Sequence, residues 1–160
     1  MNANPWQRFG ELLGDENRLL GELGHAALAM TDALVANDPA RIDAAGKQLE
    51  AKRLLHGAAY ARRIAMQRQG FGKLGLAQVC AYAPPALRRR FHATAHEIGV
   101  RTIALRLTVS NNKALILAGM DRLARVVKVL QRAGTEQTGT YRRRGFVPPP
   151  EGSVIVSRRA

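Results

Sequence analysis

Residues 91–130, FHATAHEIGVRTIALRLTVSNNKALILAGMDRLARVVKVL, decide the fold of this chain. Within them, mostly apolar or small residues recur alternately four and three positions apart without a slip. We call this series the heptad seam; it comprises Phe91, Ala95, Ile98, Thr102, Leu105, Val109, Asn112, Ile116, Gly119, Leu123, Val126 and Leu130. Such spacing keeps one stripe of a helix turned toward a partner helix. The stretch therefore predicts one long coiled-coil helix, which is typical of proteins that bind other chains and offers no scaffold for a catalytic pocket.

The rest of the chain predicts further helices, so the expected fold class is all-α, an antiparallel helical bundle or coiled coil. Caps and breaks place the helices at about 5–36, 39–69, 74–82 and 85–133. Asn4 and Asp38 each precede a proline that fits the first turn of a helix. Gly134 is expected to end the long helix. The bundle would then span residues 1–133, and residues 134–160 would form a flexible basic tail.

Apolar positions predict the buried faces of the first two helices. The first helix has a three-and-four pattern that only Glu16 interrupts: Trp6, Phe9, Leu13, Glu16, Leu20, Leu23, Ala27, Met30 and Leu34. The second has a weaker, alanine-rich pattern: Ile42, Ala45, Leu49, Leu54, Leu55, Ala58 and Ala65. Because alanine buries little area, the second helix is expected to be less firmly held.

The charge of the chain is high and unevenly distributed. The formal net charge is +13, but residues 1–50 carry a net −4 and residues 51–160 a net +17. Between Lys52 and Arg106 a single acid, Glu97, stands among eleven bases. Such a field favours encounter with an acidic partner, whether a nucleic acid, an anionic membrane or an acidic protein surface.

Composition also bears on the cellular compartment. Cys80 stands alone, which excludes a disulfide framework and favours a reducing compartment. The N-terminal residues lack the pattern of a secretory signal. The longest apolar run, around residues 114–120, is too short to span a bilayer. We therefore expect a soluble cytoplasmic protein without a membrane span.

No motif for catalysis, a metal or a cofactor is evident. His92 and His96 are one helical turn apart, but Val100 stands where a zinc-protease motif needs its second histidine. Gly70-Phe71-Gly72-Lys73 lacks the preceding strand and the Ser or Thr of a phosphate-binding loop. We expect no enzyme activity, no cofactor and no metal site.

The C-terminal half of the chain resembles FlgN-type flagellar export chaperones. The resemblance rests on Asn112 in the seam followed by Leu115 and Ile116, more amphipathic helix, a short break, and Gly-Thr-Tyr-x-x-x-Gly at residues 139–145. The order of helices fits that family as well, whereas the strongly basic charge departs from it. The resemblance implies a cytoplasmic type III export chaperone that holds the terminal helix of hook–filament junction proteins and delivers them to the flagellar export gate.

Site residues follow from the seam and from this resemblance. The expected client-binding residues are Val109, Asn112, Ile116, Leu123, Val126 and Leu130. The resemblance implies that Tyr141 and Gly145 dock the chaperone to the export gate. Two alternatives remain open at this point: Asn112 fixes the register of the bundle, as a buried asparagine does in coiled coils, and Tyr141 folds back onto the bundle.

Two other functions are compatible with the sequence. An arginine-rich helical nucleic-acid-binding protein would explain the basic residues, but their sparse aromatic neighbours follow no recognition motif. A structural coiled coil that pairs with itself would explain the seam. Nucleic acid is therefore the less favoured partner.

Overall fold

The structure is a computed structural model that describes residues 4–139, with side chains up to residue 133. It consists of four helices: α1 Pro5–Ala36, α2 Pro39–Phe71, α3 Leu76–Tyr82 and α4 Pro85–Gly139. The described residues contain no strand, and the helices pack against each other. The prediction of an all-α helical bundle is confirmed. By its internal contacts the chain divides into two units, Met1–Ile116 and Leu117–Ala160.

The helix starts that the sequence predicts are confirmed by their caps. The Asn4 side chain accepts a hydrogen bond from the Trp6 backbone N–H at 3.0 Å. The Asp38 carboxylate accepts from the backbone N–H groups of Ala40 and Arg41 at 3.0 and 3.1 Å. These bonds satisfy donors that have no partner within the helix.

In the first unit, α1 and α2 run antiparallel. Arg63 of α2 donates to the carboxylate of Glu16, and Lys52, earlier in α2, contacts Glu22, later in α1, at 2.6 Å. The hydrogen bond from Lys52 holds the pKa of the Glu22 carboxyl below its ordinary value of 4.5. The two ion pairs align about two turns of α1 with about three turns of α2.

Also in the first unit, α4 runs parallel to α1. Asn17 donates to Glu97 at 2.7 Å, and Thr31 donates to Asn112 at 2.7 Å, so residue numbers rise together along both helices. The direction follows from the connection, because α2 returns to the start of α1 before α4 begins. α1 therefore packs against two helices, of which α2 runs antiparallel to it and α4 runs parallel to it.

An aromatic cluster lies at the end of this unit where α1 begins. Phe9 packs edge-on against Phe71 and Phe91, with ring centroids 5.4 and 5.6 Å apart, and Trp6 lies 4.5 Å from Phe71. The short helix α3 adds apolar side chains to the same core. The cluster of buried residues comprises Phe9, Leu13, Leu20, Val79, Cys80, Ala83, Phe91 and Ile98.

The predicted buried face of α2 is wrong in its second half. Leu54, Leu55, Ala58 and Ala65 are exposed, and the buried residues of α2 are Ala45, Ala59, Arg63 and Gln67. The inward stripe includes Arg63 and Gln67, and their burial is compensated because Glu16 of α1 pairs with Arg63 and the Leu74 carbonyl accepts a hydrogen bond from Gln67. An apolar pattern alone could not locate this face.

The end of α4 also differs from the prediction. The helix continues through Gly134 to Gly139, the last described residue. A glycine inside a helix costs only about 1 kcal/mol relative to alanine, so one glycine without a following proline does not end a helix. The flexible tail predicted for the C-terminus lies, from residue 140 onward, outside the described residues.

Helix α1 is the one described helix that is long and apolar enough to cross a membrane, which the sequence analysis did not anticipate. The core helix of a bundle satisfies the same criterion. Nine of its residues, Phe9, Leu13, Glu16, Leu19, Leu20, Leu23, Ala26, Ala27 and Ala33, are buried against neighbouring helices.

Candidate partner-binding surface

The first part of the heptad seam is internal except at Val109, which is exposed. Phe91, Ile98 and Asn112 are buried, and Ala95, Thr102 and Leu105 are half-buried. This part of the seam packs against α1 within the first unit, as the heptad spacing predicts. It serves to hold the bundle together and is not free for a partner.

Asn112 is the last buried residue of α4 among its described side chains, and both the nitrogen and the oxygen of its amide form hydrogen bonds to α1. Its Nδ2 donates to the Ala27 carbonyl at 2.9 Å, and its Oδ1 accepts from the Thr31 hydroxyl at 2.7 Å. Only 6% of the residue is exposed. These bonds favour the alternative in which Asn112 fixes the register of α1 and α4.

A second polar contact joins α1 to α4. Arg101 donates to the Asn17 carbonyl at 2.8 Å and to the Glu97 carboxylate at 2.5 Å. The guanidinium of Arg101 lies next to Gly21. A Cβ at Gly21 would be 2.6 Å from Arg101 Nη1, so any side chain there would displace the guanidinium. Gly21 thus lets Arg101 lie close to the α1 backbone.

A groove of about 540 Å³ runs between α1 and α4 in the first unit. Its α1 side includes Gly14, Gly21 and Gly24, and its α4 side includes Ala104 and Leu105. A Cβ at Gly14 or Gly24 would meet no atom within 4 Å, so a side chain can be introduced at either wall position. We call it the α1–α4 groove.

The second unit carries a fully exposed apolar face. None of its described side chains, residues 117–133, is buried. The residues Met120, Leu123, Val126, Val127 and Leu130 are 50–67% exposed, and we call them the 120–130 face. At about 100° per residue they fall within a sector of about 120° on the helix. An apolar sector of this width is what a helix normally turns toward a packing partner.

Basic residues surround the 120–130 face. Arg122 borders it on one side, Lys128 lies beyond the other border, and Arg125 occupies the opposite side of the helix. All three are exposed, and none forms an ion pair with a described residue. The second unit therefore presents a basic amphipathic helix.

The predicted client-binding residues fall into separate groups. Val109 and Ile116 are exposed in the first unit, and Leu123, Val126 and Leu130 are exposed in the second. Asn112 is internal. Sequence analysis missed Met120 and Val127, which lie one position beyond seam positions and widen the exposed face. Tyr141 and Gly145, predicted to dock at the export gate, lie outside the described residues.

Several of the basic residues between Lys52 and Arg106 have structural partners. Lys52, Arg53, Arg63 and Arg101 pair with carboxylates. Arg88 donates through two nitrogens to the Ala83 carbonyl at the end of α3, which accounts for one of the three arginines at the start of α4. Within this range, the bases that are exposed and form no ion pair with a described residue are Arg62, Arg68, Lys73, Arg89, Arg90 and Arg106.

The residues that the sequence analysis considered for chemistry can be located in the structure. No group of three or more potential metal ligands occurs among them, and His92 and His96 are both exposed. Phe71 belongs to the aromatic cluster, so the glycine-rich segment around it serves as the end of α2. Burial raises the pKa of the Cys80 thiol above its ordinary value of 9.0, which disfavours the reactive thiolate.

Comparison of this chain with protein families, with curated proteins and with solved structures finds no match.

Proposed function

We propose that this protein is a binding protein for amphipathic helices, and that it acts as a cytoplasmic export chaperone of the FlgN type. Its client would be the terminal helix of a hook–filament junction protein, delivered to the flagellar type III export apparatus. No chemical step is involved. The observation that carries the proposal is the exposure of the 120–130 face, in which Leu123 and Leu130 are 67% and 65% exposed at heptad spacing.

The physical reason is the cost of leaving such a face in water. Burial of a large aliphatic side chain contributes about 1.5–3 kcal/mol, and the five residues of this face are each at least half-exposed. A client helix that covers them would recover part of that free energy, reduced by the cost of association. Helix-in-groove recognition uses side chains at this spacing.

The experiment is a calorimetric titration of the full chain with the terminal helical fragment of a hook–filament junction protein, at about 0.15 M and about 1 M salt. The proposal predicts one-to-one binding that persists at high salt, because apolar contacts do not release counterions. Absence of binding at both salt concentrations would overturn it.

A second candidate function is nucleic-acid binding. The specific observation in its favour is the set of six exposed, unpaired bases described above. Phosphate contacts weaken steeply with salt, so this candidate predicts that bound nucleic acid is released as salt rises. Co-purifying nucleic acid, together with no client binding, would favour it over the chaperone.

A further inference from the structure

The net charge of the helix that covers the first part of the seam is a precedent for the charge of a partner helix. That helix is α1, which carries five acids and two bases over Pro5–Ala36, a net charge of −3. Its carboxylates contact bases of α2 at two points, Glu16 with Arg63 and Glu22 with Lys52. Within the bundle, an acidic amphipathic helix is the element that packs between basic ones.

The seam continues without a slip from the part that packs against α1 to the 120–130 face. The polar side of the second unit is basic: residues 117–133 hold four bases and one acid, a net +3. Gly119 occupies a seam position, which permits close approach of another helix backbone. The heptad spacing and this glycine favour a helix over a membrane surface as the occupant.

We propose that the 120–130 face binds an amphipathic helix of net negative charge, as α1 is, with carboxylates along the borders of its apolar face. The proposal rests on the proposed function and adds the charge of the client. Arg122 and Lys128, one on each side of the face, would lie nearest to those carboxylates. A second copy of this chain fits less well, because two segments of net charge +3 would come together.

The test compares three helical peptides that share one apolar heptad face and differ only at the bordering positions, which are all Glu, all Gln or all Lys. Each labelled peptide is titrated with the full chain by fluorescence anisotropy at about 0.15 M and about 1 M salt. We expect the Glu peptide to bind about tenfold more tightly than the Gln peptide and the Lys peptide to bind more weakly. The preference should shrink at high salt while the Gln peptide changes little.

Charge reversal provides the matched control. The double substitution Arg122→Glu with Lys128→Glu should reverse the order, so that the Lys peptide binds most tightly. Arg89→Glu with Arg90→Glu makes the same change in net charge at exposed, unpaired positions of the first unit and should preserve the original order. Because all four side chains are exposed, circular dichroism should show the same helix content in every variant.

The outcomes distinguish failure of the acidic-helix proposal from failure of the proposed helix-binding function. Equal affinity for all three peptides would overturn the acidic partner and leave the helix-binding function standing. Binding of none of them would overturn both. Self-association that the Glu peptide cannot displace, or binding to vesicles of anionic lipid in preference to the Glu peptide, would overturn the acidic helix as the occupant.

Discussion

Arg63 on α2 and Glu16 on α1 form a buried ion pair, with Nε and Nη2 of the guanidinium both donating to the carboxylate. The side chains are only 5% and 3% exposed. Arg63 also donates to Gln67 at 2.6 Å, and Gln67 donates to the Leu74 carbonyl at 2.6 Å. One network therefore joins α1, α2 and the segment that leads to α3.

Removing either partner of this pair should destabilise the fold strongly. Glu16→Ala or Arg63→Ala leaves an uncompensated buried charge, and we expect a loss of about 3–5 kcal/mol of unfolding free energy. Urea denaturation followed by circular dichroism measures the loss. The double variant should lose clearly less than the sum of the two singles, and strict additivity would show that the two groups do not interact.

Asn112→Ala should lower the unfolding free energy by about 1–3 kcal/mol, because the Thr31 hydroxyl and the Ala27 carbonyl lose their amide partner. Its neighbour Asn111 is exposed and provides the control. Asn111→Ala should leave stability unchanged or slightly raised, since alanine is the better helix former. If the two variants are equally stable, Asn112 does not fix the register.

The glycines of α1 should respond in opposite directions. Gly14→Ala should stabilise the fold by about 0.5–1 kcal/mol, because its Cβ meets no atom and alanine favours helix. Gly10→Ala should destabilise it, because its Cβ would lie 2.9 Å from the Phe91 ring. Thermal unfolding of both variants checks the contrast, and a gain in stability at Gly10 would contradict the packing described here.

Filling the α1–α4 groove tests whether the client binds there. Gly24→Leu adds a side chain at the wall of the groove, where its Cβ would meet no atom within 4 Å, and Gly57→Leu makes the same change at an exposed position of α2, where the Cβ also would meet none. The account predicts that both variants bind the client helix with unchanged affinity. Loss of binding in Gly24→Leu alone would show that the client binds in the groove.

Ionisation of the Cys80 thiol should make the unfolding free energy depend on pH. Its thiol has a pKa raised by burial above 9.0, so in the unfolded chain it ionises at lower pH than in the folded one. The contribution to stability is complete below the unfolded pKa and is lost as pH rises through the folded pKa. The urea midpoint should therefore fall more between about pH 8 and pH 10 in the native chain than in Cys80→Ala. Parallel curves for the two proteins would contradict this.

The sequence predicted the elements of the fold better than their faces. Asn4 and Asp38 marked helix starts correctly because a cap is a local interaction that depends on adjacent residues. The inward position of Arg63 could not be predicted, since it depends on a carboxylate 47 residues away. Glu16 offered a signal, as a lone acid inside an apolar seam, but its partner was not identifiable from spacing.

The sequence predicted which residues of the candidate site share one helix face, but it did not predict which of them are exposed. The heptad seam placed Leu123, Val126 and Leu130 on one face, which the structure shows to be exposed. The same spacing gave no means of separating them from Asn112, which is internal. Which seam positions are covered within the first unit depends on how α1 packs along α4, and that is a tertiary property.

The most direct test of the account compares Leu123→Asp with Val129→Asp in binding to the terminal helix of a hook–filament junction protein. Leu123 lies within the 120–130 face and Val129 outside it on the same helix, and the two are 67% and 63% exposed. Neither substitution should unfold the chain. The account predicts that Leu123→Asp weakens binding about 30-fold or more while Val129→Asp binds nearly as the native chain does. Equal effects of the two substitutions, or no effect of either, would contradict the claim that this face binds the client.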